Sequence, residues 1–203
     1  MAYGTEIAKA TKLAAVNTII SNIGQAPVTT LESGNPLVEM AEQILDEISR
    51  TVQSEGWVFN TEYHYPFGRD GNNCIKIPFN VLALDTKPTS LNRAVIRSNK
   101  LYDKVNHTYE WDDDMELDVI WLFPFEDLPE AFKNYITIRA ANVFAGRSIG
   151  STEAVKFGER EEIFARASAL EHDTQQGDYT IFADKDNQQS YQSYLPYNAI
   201  RRH

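Results

Sequence analysis

The residues best suited to chemistry in this chain are nine carboxylates between Glu110 and Glu130, with no Lys or Arg among them. Clustered carboxylates bind calcium, or act in pairs in glycan hydrolysis. The spacing favours neither role strongly, because Asp112-Asp113-Asp114 lacks the glycine and the distal glutamate of an EF-hand loop. We expect no catalytic or metal site, but an acidic surface patch. A glycan hydrolase and a monomeric calcium-binding module are the alternatives. The candidate residues of the patch are Glu110, Asp112, Asp113, Asp114 and Glu116.

This acidic run accounts for nearly all of the net charge. The 203 residues include 29 Asp and Glu against 19 Lys and Arg, which gives a formal net charge of -10. Without the nine carboxylates, 20 acidic residues stand against 19 basic ones. The chain therefore lacks the basic field that grips phosphates, and sequence-specific nucleic-acid binding is not expected. Such a protein can surround DNA without holding it.

Other chemical signals are weak. The four histidines are far apart in sequence, and no nucleophile motif, phosphate-binding loop or dinucleotide fingerprint occurs. The one cysteine, Cys74, is expected to be a buried thiol in a protein assembled in a reducing compartment. No stretch reaches the ~18 apolar residues of a membrane span, and no secretory signal is recognised. We expect a structural protein with no cofactor, no catalytic residue and no membrane association.

Four segments carry apolar residues at helical spacing. The first runs from Thr5 to Ile23, before Gly24, and the second begins at the capping pair Asn35-Pro36 and ends at Gly56. The third follows Pro129, and Ser151 or Thr152 caps the fourth. The apolar face predicted for the fourth helix consists of Val155, Ile163, Phe164, Ala167 and Leu170.

Between the helical pairs lie short β-prone runs, with a tight turn predicted at Asp70-Gly71-Asn72-Asn73. The simplest burial of four one-sided helices gives an α+β fold, a discontinuous four-helix bundle of residues 1–56 and 125–173. Residues 57–124 then form an inserted antiparallel β domain. The predicted strands are Trp57–Phe59, Tyr63–Tyr65, Ile75–Ile77, Val81–Leu84, Ala94–Arg97 and Leu117–Leu122.

Residues 174–203 do not encode a core element. Gln, Asn and Ser dominate, with four tyrosines spaced among them. We expect an extended C-terminal tail that becomes ordered on a partner and uses its aromatic side chains as anchors.

Four sequence blocks resemble the tail tubular protein A family of short-tailed bacteriophages. The first runs from Val16 to Val28, Val-Asn-Thr-Ile-Ile-Ser-Asn-Ile-Gly-Gln-Ala-Pro-Val, and is followed by Leu31-Glu32. The second is Gln53-Ser-Glu-Gly-Trp-Val-Phe-Asn60, the third Leu101-Tyr102-Asp103, and the fourth Asp127-Leu-Pro-Glu-Ala-Phe132. Their consistent order over roughly residues 10 to 145 makes the resemblance more specific than any single block.

The resemblance implies structural work in the virion tail. Members of this family form a dodecameric ring, an adaptor or gatekeeper in the head-tail connector between the portal protein and the tail nozzle of tail tubular protein B. The ring extends the DNA ejection channel without sequence-specific binding and supports tail fibre attachment, and its assembly takes place in the host cytoplasm. The C-terminal segment of the family holds the portal. The portal-contact candidates are therefore Tyr179, Ile181, Phe182, Tyr191, Tyr194 and Tyr197.

Overall fold

The fold is seen in a computed structural model. It describes residues 10–32, 34–86, 94–148 and 152–177, and for residues 152–157 it describes the backbone alone.

The described residues contain four helices, as the sequence predicts, but the first begins at Lys12, after its cap Thr11, and not at Thr5. They are α1 (Lys12–Ser21), α2 (Pro36–Gln53), α3 (Glu130–Ser148) and α4 (Thr152–Gln176). The predicted cap of α2 is confirmed, because Asn35 accepts a hydrogen bond from the amide of Leu37 at 3.0 Å. Both predicted helix stops, Gly24 and Gly56, have a φ of +76°, a left-handed conformation that glycine adopts at low cost.

In residues 61–86 and 94–121, the β part forms one three-stranded sheet and one hairpin. Its strands are β1 (Thr61–Phe67), β2 (Val81–Thr86), β3 (Ala94–Arg97), β4 (Lys100–Asp103) and β5 (Met115–Trp121). The sheet has the order β1-β5-β2, and β3 pairs with β4; all pairings are antiparallel. With four helices and antiparallel sheets, the predicted α+β class is confirmed.

Two predicted strands were wrong, and one strand was not predicted. Trp57–Phe59 is not a strand; the backbone forms a 3₁₀ turn over Val58–Asn60, because the Asn60 side chain accepts a hydrogen bond from the Trp57 amide. The run Ile75–Ile77 makes only isolated bridges. Strand β4 was not predicted, since its four residues alternate in burial but carry two charges.

The residues that the structure describes form two hydrophobic cores. Residues of all four helices share the first with Trp57, Phe125 and Leu128. The second lies in the β part and includes Phe67, Trp111 and Trp121. In the first core α3 is central, and it contacts each of the other three helices.

The prediction of which face of α4 is buried was also wrong. Its residues in the core are Ala165 and Ala169, at 4% and 0% exposure. The larger side chains Ile163 and Phe164 are instead 68% and 69% exposed, and Leu170 is 44% exposed. The fifth predicted residue, Val155, has a side chain outside the described part. Small residues let α4 approach α3 closely, so the bulky stripe is left on the outside.

Candidate interaction surfaces

The acidic run does not form one compact site. Asp112 and Asp113 are exposed in the turn before β5, whereas Glu126 and Glu130 lie at the start of the helical half. Glu126 accepts a hydrogen bond from the Lys12 amide at 3.4 Å. Among the described residues, no group of three or more His, Cys, Asp or Glu side chains is arranged to hold a metal ion. The run is thus divided between the two halves of the fold.

Arg69 partly neutralises the patch around Asp112. Its guanidinium donates to the carbonyl oxygens of Trp111, at 3.2 Å, and Asp112, and its backbone amide donates to the Asp114 carboxylate at 3.0 Å. Glu110 is exposed and forms an isolated backbone bridge with Cys74. Glu116 is exposed on β5. The five patch candidates therefore lie along one turn and its flanking residues.

The predicted turn and thiol are both confirmed. The Asp70 carboxylate accepts hydrogen bonds from the amides of Cys74 and Asn72, at 3.0 and 2.9 Å, and these bonds lower the pKa of Asp70. Cys74 is a buried free thiol. None of the helices in the described ranges is long and apolar enough to cross a membrane.

A buried polar junction joins the helices to the sheet. Gln53 is fully buried and exchanges two hydrogen bonds with the backbone of Phe123. Asn60 donates from its side-chain nitrogen to the carbonyl oxygens of Gln53 and Trp121, both at 2.8 Å. The Trp57 indole donates to the carbonyl oxygen of Val52 at 2.6 Å. Because these bonds satisfy buried backbone groups, they fix the end of α2 against the end of β5.

Two other sequence blocks that carry the family resemblance also contain a polar side chain that forms hydrogen bonds with the backbone. Asn17 on α1 donates to the carbonyl oxygen of Val28 at 2.9 Å and accepts from its amide at 2.8 Å. The buried Asp103 carboxylate accepts from the amides of Val105 and Asn106, at 2.7 and 3.2 Å, and from the Asn106 side chain at 2.8 Å. Burial alone would raise the pKa of Asp103, but these hydrogen bonds outweigh it and lower the pKa. Polar side chains thus hold the chain turns in place.

An ionic network attaches α4 to the core. The Arg166 guanidinium donates to both carboxylate oxygens of Glu55, at 3.2 and 2.9 Å, and to the Tyr135 hydroxyl at 2.9 Å. These bonds, the one with Glu55 foremost, raise the pKa of Arg166. Arg139 also donates to the Tyr135 hydroxyl, at 3.0 Å, and pairs with Glu162 at 3.6 Å. The orientation of α4 about its own axis is therefore fixed by Glu55, just after α2, and by residues of α3.

The outward face of α4 is the most apolar exposed surface on a described helix. We name Ile163, Phe164, Ala167 and Leu170 the α4 stripe. At 100° per residue, Ile163 and Ala167 point away from Ala165 and Ala169, and Phe164 and Leu170 lie on the two flanks. Contiguous exposed apolar surface on a folded protein commonly marks an interface. Sequence alone located the stripe but assigned it to the core.

A groove lies on another side of the helical half. It has a volume of about 470 Å³ and lies between the end of α1, the middle of α3 and the first half of α4. Ile138 and Ala141 form apolar parts of its lining, and Glu161 lies on its α4 side. The full lining is Thr18, Ser21, Asn22, Ile138, Ala141, Asn142, Gly158 and Glu161.

The portal-contact candidates Tyr179, Ile181, Phe182, Tyr191, Tyr194 and Tyr197 lie outside the described residues. The sequence prediction missed the buried amides Gln53 and Asn60 as junction residues. Only Gln53 could have been identified from the sequence, because it is a polar residue within the apolar stripe of α2 that includes Val52.

Comparison with known proteins gives two matches. The sequence model of a family described as tail tubular protein matches residues 13–179. The curated protein tail tubular protein A of Klebsiella phage KP34 is 26% identical over 166 residues, which cover 79% of this chain and 86% of that protein. The family match covers the sheet and, apart from Lys12, the four helices of the described ranges.

Proposed function

Because the chain belongs to the tail tubular protein family and is a structural protein of the bacteriophage virion tail, we propose that it is the adaptor between portal and nozzle. In this role twelve copies form a ring that connects the portal to a tail tubular protein B nozzle and supports tail fibres. The match to the family over residues 13–179 carries the proposal.

The ring surrounds the path of DNA ejection without gripping the duplex. Each phosphate contact made by Lys or Arg has to break as DNA slides, so a basic wall would slow ejection. A chain of net charge -10 avoids this cost. We assign no catalytic residue, metal or cofactor to the protein.

The division of labour within the chain follows the sequence. Residues 1–56 and 125–173 form the helical body of each subunit, and residues 57–124 project from it. Because α4 extends to Gln176, the tail that attaches the subunit to the portal begins after Gly177 and not at residue 174. Its contacts are Tyr179, Ile181, Phe182, Tyr191, Tyr194 and Tyr197. Two hydrophobic cores, one mainly of the helices and one in the β part, support this division, although Trp57 packs in the helical core and Phe123 contacts both cores.

Electron microscopy of the full-length protein mixed with its cognate portal tests the proposal. We expect a closed ring of this protein on one end of the portal. A matched chain that ends at Gly177 should unfold cooperatively like the full chain and yet bind the portal more weakly, because it retains every described element. Absence of a ring on the portal at saturating protein would contradict the proposal.

A further inference from the structure

Two strand pairs of the β part place like charges directly opposite each other. In the hairpin, Arg97 on β3 is the partner of Lys100 on β4, and in the sheet, Asp85 on β2 is the partner of Asp118 on β5. Opposite side chains start about 5 Å apart, so equal charges repel each other and weaken the pairing. In the described part of the chain, Arg97, Lys100 and Asp85 form no ion pair that relieves this repulsion.

The two cations of the hairpin belong to a larger basic surface. Lys76 forms an isolated bridge with Lys100, so the three basic residues stand in a row across three chain segments. The Arg97 guanidinium lies over the Tyr102 ring, 4.1 Å from its centroid. A guanidinium stacked in this way keeps its N–H edge available to a carboxylate. We name this surface the basic face; it consists of Lys76, Arg97 and Lys100.

Nearby acids cancel only part of this charge. Asp70 pairs with Lys76 at 3.5 Å, and Glu110 lines the same depression of the surface as Lys100. Arg97 is exposed, and neither acid is its ion-pair partner. The basic face therefore keeps an excess of positive charge at the hairpin.

The opposite charge gathers on the outer surface of the sheet. Glu116 stands two residues before Asp118 on β5 and points to the same side. His64 Nδ1 lies 3.4 Å from Asp118, whereas Asp85 is exposed and lies directly across from that carboxylate. The exposed turn of residues 112–114 continues the negative charge just before β5. We name this surface the acidic face; it consists of Asp85, Glu116 and Asp118.

The basic face and the acidic face lie on opposite sides of the second hydrophobic core. Leu101 of β4 and Val119 of β5 are both 0% exposed in that core, although β4 and β5 belong to different sheets. Successive side chains of a strand point to opposite sides. Lys100 and Asp118, one position earlier on each strand, therefore point away from the core in opposite directions.

We propose that the basic face of one copy packs against the acidic face of a second copy. This inference rests on the proposed ring and names a contact that closes it. The two like-charged pairs have the same cross-strand spacing, so two cations of one copy meet two carboxylates of the next. Repulsion within each copy is thereby exchanged for attraction between copies. Contact between two different surfaces of identical subunits is heterologous, and such contacts generate rings.

A second copy fits both surfaces, whereas other occupants fit one. DNA phosphates match the basic face but repel the acidic face. A second copy supplies a carboxylate pair to the first face and a cation pair to the second, in equal number. The same contact then repeats around the ring without an unpaired face.

Cross-linking tests the contact directly. Ala83→Cys places a thiol beside the acidic face, and Val95→Cys places one beside the basic face, next to Tyr102. Packed sheets are about 10 Å apart and the two side chains point away from each other, so a short bis-maleimide reagent does not link them within one copy. The full-length double variant, with and without the cognate portal, should give a ladder of covalent multimers. Each single variant should give at least about tenfold less multimer, and the wild type reports any reaction of the buried Cys74.

Charge reversal gives a second readout with two opposite signs. Arg97→Glu and Asp85→Lys each turn a like-charged pair into an opposite-charged pair, so each should raise the free energy of unfolding of the dilute subunit in urea. In the double-cysteine background, each should lower the yield of the ladder by about tenfold. The two changes together should recover part of the yield, because the sign is exchanged on both sides of every contact. Arg50→Glu and Glu32→Lys make the same charge changes at exposed positions of the helical half and should leave the ladder unchanged.

The outcomes separate this inference from the proposed function. Rings on the portal without a ladder would overturn the contact and leave the adaptor role intact. A ladder without rings on the portal would support the contact and contradict the adaptor role. If Arg97→Glu leaves the ladder unchanged and instead weakens retention of duplex DNA in a filter-binding assay, the basic face contacts DNA. A link from position 95 to the portal alone would assign the basic face to the portal. Either of these last two results overturns the proposal.

Discussion

The side chain of Gln53 forms a reciprocal pair with the backbone of Phe123. The Phe123 amide donates to Oε1 at 2.8 Å, and Nε2 donates to the Phe123 carbonyl oxygen at 3.1 Å. Gln53 is the last residue of α2 and is completely buried, so the pair joins the helical half to the segment after β5. The side chain of Asn17 on α1 forms the same arrangement with the backbone of Val28.

Replacement of Gln53 should lower the free energy of unfolding. Gln53→Met keeps the length of the side chain but leaves the amide and carbonyl of Phe123 without partners, so we expect a loss of about 2–4 kcal/mol in the free energy of unfolding. Asn17→Leu removes the same two bonds at a half-buried site, where water replaces them, and should cost about 1 kcal/mol. Urea denaturation of both variants measures the difference. Equal losses would show that burial of the junction adds nothing to its strength.

The sequence predicted those parts of the fold that have local signals. The Asn35-Pro36 cap sets the start of α2, and Gly24 and Gly56 mark the ends of helices because their backbone conformations favour glycine. The Asp70 turn follows from its Asx chemistry. In each case a few adjacent residues determine the outcome.

The parts of the fold that were not predicted depend on contacts between residues far apart in the sequence. Trp57-Val58-Phe59 has strand propensity, but Asn60, held by the carbonyl oxygens of Gln53 and Trp121, imposes a turn. On α4, an alanine pair and a bulkier stripe both repeat at helical spacing. Which one is buried depends on the approach of α3 and on Glu55, 111 residues before Arg166. Periodicity finds amphipathic faces but does not say which neighbour each one meets.

Gly56 and Gly24 form a matched pair for substitution. Both have a φ of +76°, but a Cβ at Gly56 would lie 2.8 Å from Ile120 Cδ1, and a Cβ at Gly24 meets nothing within 4 Å. Gly24→Ala should cost about 1 kcal/mol, for the left-handed backbone alone. In urea denaturation, Gly56→Ala should lower the free energy of unfolding by more than Gly24→Ala does. Addition of Ile120→Val, which removes Cδ1, should bring the cost of Gly56→Ala towards that of Gly24→Ala. If Gly56→Ala and Gly24→Ala lower the free energy of unfolding equally while Ile120 is present, the contact between position 56 and Ile120 has no role.

Asp103 should give the protein a pH-dependent stability. Its pKa in the fold is below the unfolded value of about 3.9, so the carboxylate stabilises the fold above that pH. This contribution should be lost as the pH falls from about 4 through the folded pKa. Asp103→Asn should flatten the dependence of the free energy of unfolding on pH in this window. Asp113→Asn, in an exposed turn, controls for the change in net charge. Equal slopes for Asp103→Asn and the wild type would contradict the assignment.

Gly158 determines how closely α4 approaches α3. In an ordinary helix Gly→Ala stabilises by about 1 kcal/mol, but a Cβ at position 158 would lie 1.9 Å from Asn142 Oδ1. Asn142 also donates to Glu162 at 3.0 Å, so it is not free to move aside without loss of that bond. We therefore expect Gly158→Ala to lower the free energy of unfolding in the wild type and to raise it in an Asn142→Ala background. This reversal of sign, measured by a double-mutant cycle in urea, depends on the helix contact and not on helix propensity. Stabilisation by Gly158→Ala in both backgrounds would show that the two helices are farther apart.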